Sequence, residues 1–420
     1  MLPARQAVAC RNDRTCLRHT MPRLSVALLL TLLLAAPPHA PAALGRIDIP
    51  VAVDGGAVIT VETTWPENRA ARALVVVVVG TGGTADPYLN PELHMATYDP
   101  DHRGGLTAKL LAAGYAVAYF GQRGYAPLRS CISGNSARER AAAFVTRCLD
   151  PKVRAGVDFA AITADTGRVF AALARHPRTR HLAQIAMPYS EGMHHVSAAV
   201  GQHAMRLAGI VSVGGPVGSL GNIVPYQVQY EYFVNIATDG FARCPNRELT
   251  AEQLFRCAGK WQSPFLLSKM NELMGWPTLT RELLLLRREA LRAHWRAAAA
   301  QFASLPPDAS IGASFEGHYI PSAWNARFPY QQMSAAVGSL EQLGDFDGRV
   351  TYLFGTRDHL VPLPAPGPCP ARADGSARTR CSIRLIADVG HGLEDESELP
   401  PDAVLDEMVR AVDEVADAAA

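Results

Sequence analysis

The sequence has no surplus of charge of either sign: 40 basic residues face 39 acidic ones, for a formal net charge of +1. A chain so balanced has no global field that would gather nucleic acid or strongly anionic partners. It has no repeat of fixed period, which excludes solenoids and propellers. It has no Cys-x-x-Cys or matched histidine spacing, and no structural zinc site is expected. "GTGGTA" (80–85) is not followed by Gly-Lys-Ser/Thr, so it does not read as a nucleotide phosphate loop. Asp99, Asp101 and His102 in "PDHRGG" read as turn residues rather than metal ligands. The apolar run at 24–36 falls short of the ~20 residues a bilayer span needs. Aromatics make up only 7%, but hydrophobic residues reach 48%, enough for a substantial core in one large domain or two ordinary ones over 420 residues.

What is present at the N-terminus is a Met-Pro-Arg start at 21–23, the apolar run, and an Ala-x-Ala ending at Ala42. That pattern fits a secretory signal peptide over about 21–42, with residues 1–20 as an extension outside the fold. The expected location is periplasmic or secreted, with no stable membrane span after cleavage. No cysteine directly follows the apolar run, which argues against a lipid anchor of the bacterial lipoprotein kind. Export makes disulfides the expected state of Cys131, Cys148, Cys244, Cys257, Cys369 and Cys381. They fall as three local pairs in probable loops, and neighbour pairing is expected, each closure contributing about 3 kcal/mol in the chain-entropy model.

"RIDIPVAV" and "AVITVETTW", joined across Asp54-Gly55-Gly56, read as a hairpin. The continuous β-branched run at 73–80 reads as a strand covered on both faces, 115–120 as another buried strand, and 179–187, 208–215, 349–355 and 381–388 as further strands. Helical patterns at 106–113, about 153–175, 191–205 and 402–418 alternate with them, and Gly114 stands where a helix should stop. The expected fold is α/β, a mostly parallel sheet with helices on both faces. The alternation breaks at 216–347, which carries Trp261, Trp276, Trp295, Trp324 and "LTRELLLLRREALRAHWRAAAAQF". We read that stretch as a mainly helical lid inserted between the sixth and seventh core strands, the core being 43–215 and 348–420. Arg281, Arg287, Arg288, Arg292 and Arg296 form either a solvated face or a grip on an anionic substrate or lipid surface.

Three residues stand just past predicted strands. Ser190 lies in "MPYSEGMHH", between a strand and a helix, where a tight bend would push its side chain out over the sheet edge. Gly192 supplies one small neighbour, and Pro188 occupies the position of the other. Asp358 follows a strand in "YLFGTRDHLVP", and His391 lies between two glycines in "ADVGHGL". Each also has a structural reading: a helix N-cap for Ser190, a turn for Asp358, a packing role for His391. His194 and His195 read as helix packing residues.

The order Ser190, Asp358, His391 resembles the α/β-hydrolase superfamily, over about 47–418. "YSEG", "GTRDHLVP" and "GHG" are similar to that superfamily's nucleophile, acid and histidine segments, and "GTGG" to its oxyanion loop, with Val79 where a histidine is common. "FGQRGY" resembles its Asp-x-Arg-Gly-x-Gly turn, with Gly121 and Tyr125 substituted. The resemblance implies an exported serine hydrolase of esterase, lipase or thioesterase type. Ser190 would attack an acyl carbon, His391 would take its proton, and Asp358 would hold the imidazole. The amides of Glu191 and Thr81, or Gly82 in its place, would stabilise the oxyanion. It implies no cofactor and a small-molecule or acyl substrate. A lidded, aminopeptidase-like serine peptidase and a non-catalytic binding protein that keeps the fold are the alternatives. The sequence is silent on oligomeric state.

Overall fold

The computed structural model describes residues 44–66, 69–80, 105–126, 147–148, 150–154, 157–203, 205–219, 231–259, 267, 270–271, 277–290, 338–372, 374–378, 380–393, 395 and 400–419. Contacts divide the chain into Met1–Ala43, none of it described, and Leu44–Ala420, which holds every described residue.

A nine-stranded sheet forms the centre of this second unit. Its strands are β1 (Leu44–Ala52), β2 (Val58–Pro66), β3 (Leu74–Val78), β4 (Ala116–Phe120), β5 (Gln184–Pro188), β6 (Gly209–Val213), β7 (Arg349–Gly355), β8 (Gly367–Pro368) and β9 (Cys381–Ile386). In space they run β1-β2-β4-β3-β5-β6-β7-β9-β8. The six strands from β4 to β9 are parallel, while β1, β2 and β8 pair antiparallel at the two edges.

The valine run explains why the sheet is covered on both sides. Successive side chains of a strand point to opposite faces. Leu74, Val76 and Val78 enter one core with Phe170 and Leu173 of α2 (Phe159–Arg175) and with Met193 and Val196 of α3 (Gly192–Gly201). Val75 and Val77 enter the other with Leu106 and Leu110 of α1 (Gly105–Ala113). There they meet the apolar stripe Leu405, Met408, Val412, Val415 of the closing helix, Asp402–Ala419. A strand buried on both faces has no room for polar alternation, hence its continuous hydrophobic reading.

Local chemistry sets the ends. Gly114 stops α1 with φ 94°, and the amides of Gly114 and Tyr115 return to the carbonyls of Leu111 and Leu110. α2 starts later than its pattern suggests, because the Asp158 carboxylate caps it by accepting from the Ala161 amide at 2.7 Å. The stretch at 179–182, expected as the start of β5, is instead a turn: the Thr179 and Leu182 amides bond to His176 and Thr179 carbonyls, and the Thr179 hydroxyl donates to Leu173 O. α3 ends at Gly201, not at 205, with His203 in the left-handed region at φ 55°.

The chain leaves the sheet at Val213 and returns at Arg349 in the neighbouring strand. In between, α4 (Glu231–Arg243) and α5 (Ala251–Cys257) build a separate apolar core around Phe233, Ile236, Phe241, Leu254, Phe255 and Leu284. Phe233 and Phe255 meet edge-on, and Cys244–Cys257 bridges the two helices. Arg281 donates to the Phe241 carbonyl and lies over its ring, so it is not a simple solvated charge. Trp261, Trp276, Trp295 and Trp324 lie outside the described residues, as do Arg292 and Arg296. Cys369–Cys381 is the second described bridge. Cys148 is a half-cystine and Cys131 lies outside the described residues. Among the described residues no helix is long and apolar enough to cross a membrane.

Candidate active site

The bend after β5 is built by close backbone contact. Tyr189 still pairs with β3 and β6: its amide donates to Val78 O, and it bridges Val213. Ser190 then adopts φ 48°, a left-handed conformation that L-residues rarely take. Its amide is held by Val213 O at 3.0 Å, and Gly192 N closes onto Tyr189 O at 2.8 Å before α3 begins. Strain at a serine between a buried strand and a helix persists only where the surroundings over-determine it.

Two glycines do so. A Cβ at Gly192 would stand 2.5 Å from Val78 O and 2.9 Å from Val79 O. A Cβ at Gly80 would stand 2.7 Å from Tyr189 O and 3.0 Å from Ser190 Cβ. Pro188 is compatible with the bend, because the positive φ falls on Ser190 and the crowding on Gly80 and Gly192. Gly192→Ala drives a methyl group into rigid backbone. It should lower stability by about 1–3 kcal/mol, the usual cost of overpacking, and read out as a lower melting temperature.

Asp358 and His391 come from the loops after β7 and β9. One Asp358 oxygen accepts from the Leu360 and Val361 amides at 2.8 and 2.9 Å; the other meets His391 Nδ1 at 2.8 Å. Both residues are about 5% exposed. With Nδ1–H donating to the carboxylate, the ring is held in the tautomer whose Nε2 is the acceptor nitrogen. Glycine again permits the approach. A Cβ at Gly355 would lie 2.1 Å from Val389 O, so only glycine lets β7 pass under the histidine loop. Gly214, at φ 56°, backs onto the ring: its Cβ would be 3.0 Å from His391 Nδ1 and Cε1. Ser190 and His391 are therefore both anchored on the adjacent residues Val213 and Gly214, at the C-terminal end of β6. Thr81 and Gly82 lie outside the described residues.

A strained strand-to-helix serine is thus followed in the chain by a carboxylate and a histidine, each past the end of a parallel strand of one sheet. The chain has the α/β-hydrolase fold. No family model matches it, and no curated protein matches it by sequence. Among solved structures it is similar to a lipase in its open form, at 15% identity and TM-score 0.43, over 89% of this chain and 100% of that one. A proline iminopeptidase from Mycobacterium smegmatis aligns at 13% identity and TM-score 0.43, over 90% and 100%. A thermostable carboxyl esterase from Bacillus coagulans aligns at 12% identity and TM-score 0.40, over 89% and 99%.

Sequence reasoning missed a buried chain beneath the Ser190 bend. His195 Nε2 meets Glu191 Oε1 at 3.1 Å, and its Nδ1 meets the Thr163 hydroxyl of α2 at 3.1 Å. The Glu191–His195 spacing of one helical turn was the available signal. α2 also holds Arg123 of the "FGQRGY" turn, which donates to both oxygens of Asp165, both contacts at 2.6 Å. Arg357 and His359, on either side of Asp358, both approach Asp239 of α4. The acid loop and the inserted helices are thereby tied together.

His194 is a packing residue, as expected. It is wholly buried, and burial pushes its pKa down to about 3. The unfolded chain binds a proton there below about 6.5 and the folded one does not, so stability falls as pH drops from 6.5 toward 3. The slope is about 1.4 kcal/mol per pH unit. Urea melts at pH 6.5 and 5.0 should differ by about 2 kcal/mol through this group, and His194→Phe should remove that share.

Proposed function

We propose that the protein is an exported serine hydrolase that cleaves an ester-type acyl bond through Ser190, His391 and Asp358. The observation that carries this reading is the buried 2.8 Å contact of His391 Nδ1 with Asp358, set on the same strand end as the left-handed Ser190. Ser190 Oγ attacks the acyl carbon while His391 Nε2 accepts the hydroxyl proton. The tetrahedral intermediate collapses, and the proton passes to the leaving alcohol. Water then repeats the sequence on the acyl-enzyme, freeing the acid and Ser190. Asp358 fixes the ring tautomer and stabilises the imidazolium. The amides of Glu191 and of Thr81 or Gly82 supply the oxyanion site.

The segment 216–347 acts as a lid over the strand ends, a reading supported by its separate core and by its departure and return between adjacent strands. Export is supported by the apolar run at 24–36 and by the two bridges, since such bonds persist in oxidising compartments. A fluorophosphonate probe tests the chemistry: the folded protein should be labelled on Ser190. An unlabelled, folded protein with no activity on a graded series of p-nitrophenyl esters would sink the proposal. Aminoacyl nitroanilides in the same panel separate an esterase from a peptidase.

A further inference from the structure

A cleft lies at the ends of the strands opposite to Ser190, Asp358 and His391. It has a volume of about 240 Å³ and is lined by Arg372, Arg378 and Arg380 over an apolar floor that includes Leu340, Phe346 and Val350. Cys381 pairs with Val350, so this is where β7 and β9 begin, whereas Asp358 and His391 follow their far ends. At ~3.3 Å per residue the two places are roughly 20 Å apart.

The three arginines are held but not neutralised. Arg372 donates to Gly344 O and Ala377 O, Arg378 to Gly344 O, and Arg380 to Asp347 O, all backbone carbonyls at 3.2–3.4 Å. Among the described residues none of the three pairs with a carboxylate. Asp374, the acid of the same loop, is taken up by the Ser376 amide and hydroxyl at 2.9 and 2.7 Å. Among the described residues Asp347 is the single acidic one lining the cleft, against three guanidinium groups. Among the described residues Arg378 Nε is buried with no hydrogen-bond partner. A buried unmet donor costs about 1–3 kcal/mol, which a ligand acceptor would recover. Burial and the neighbouring Arg372 charge lower the Arg378 pKa from its ordinary value, although Tyr352, Glu341 and Asp374 act in the opposite direction. All three arginines sit in the loop closed by Cys369–Cys381, so their positions do not depend on ordering a free segment.

We propose that this cleft binds a phosphate monoester, its phosphoryl group on Arg372, Arg378 and Arg380 and a compact apolar group on Leu340, Phe346 and Val350. Three cations against one anion match a phosphomonoester dianion, which carries about −1.5 to −2 charges at neutral pH. Planar guanidiniums suit its oxygens. The volume admits a small ring or short chain and nothing drug-sized. The same head chemistry is found on a soluble phosphomonoester and on phosphatidic acid.

Calorimetric titration of the whole protein with phenyl phosphate tests it, beside inorganic phosphate and flotation with vesicles containing phosphatidic acid. Phenyl phosphate should bind saturably, more tightly than inorganic phosphate, and more weakly as salt rises. Arg378→Gln should weaken binding about tenfold or more, the loss of one charge-assisted bond. Arg380→Glu, at an exposed position, should do the same with an unchanged melting temperature. Ser190→Ala should bind as wild type does, which separates this site from the hydrolase reading. Arginine-dependent capture by vesicles alone would support the phosphomonoester chemistry with a lipid as its source. No binding in either arm, or binding unchanged in both arginine variants, would overturn it.

Discussion

Ser190→Ala should fold as wild type does and lower kcat for ester hydrolysis by about 10⁶, the loss seen when the nucleophile of such a triad is removed. The size follows from the mechanism: without Oγ no acyl-enzyme forms, and only binding and the oxyanion donors continue to favour attack by water. Alanine keeps the Cβ and removes only Oγ, so the glycine positions that let the backbone bend, Gly80 and Gly192, are untouched. A melting curve that superimposes on wild type, with burst-phase release of p-nitrophenol abolished, is the expected pair of results. Retained turnover would require another nucleophile and would remove Ser190 from the chemistry.

Asp358→Asn should cost about 10⁴ in kcat with KM little changed. The substitution is nearly isosteric, and its side-chain carbonyl can still accept from the Leu360 and Val361 amides that now hold one carboxylate oxygen. The amide NH2 then faces His391 Nδ1, where Oδ2 stands at 2.8 Å in wild type. A donor there selects the tautomer protonated on Nε2, and that nitrogen can no longer accept the Ser190 proton. The imidazolium also loses its counter-charge. The pH–rate profile should therefore change shape as well as height. Equal loss in kcat and in substrate affinity, with the profile unaltered, would instead mean that Asp358 only supports its loop.

How much of the fold and the site is legible in the sequence depends on the kind of interaction involved. β3 and β4 announce themselves because a strand covered on both faces is apolar along its length, and burial leaves that mark on neighbouring residues. Gly114 and the closing helix are legible for the same local reasons, a left-handed stop and an apolar stripe of helical period. The false strand start at 179–182 shows the limit. Leu182 is an apolar residue in a turn, and the bond that closes the turn runs from the Thr179 hydroxyl back to α2.

The sequence by itself determined the α/β alternation and the chain order of a serine, a carboxylate and a histidine, each just past a strand. Pattern and position encode those properties directly. Only the tertiary structure decided that Asp358 meets His391 Nδ1, that Gly355 and Gly214 are what let the histidine loop settle there, and that His195 stands between Glu191 and Thr163. It also gathered the start of β7 and the loop before β9 into one arginine-lined cleft. The physical reason is common to all of these. Hydrogen bonds and close contacts act over a few ångströms between residues far apart in the chain, so they leave no periodic trace in the sequence and exist only once the sheet has brought its strand ends together.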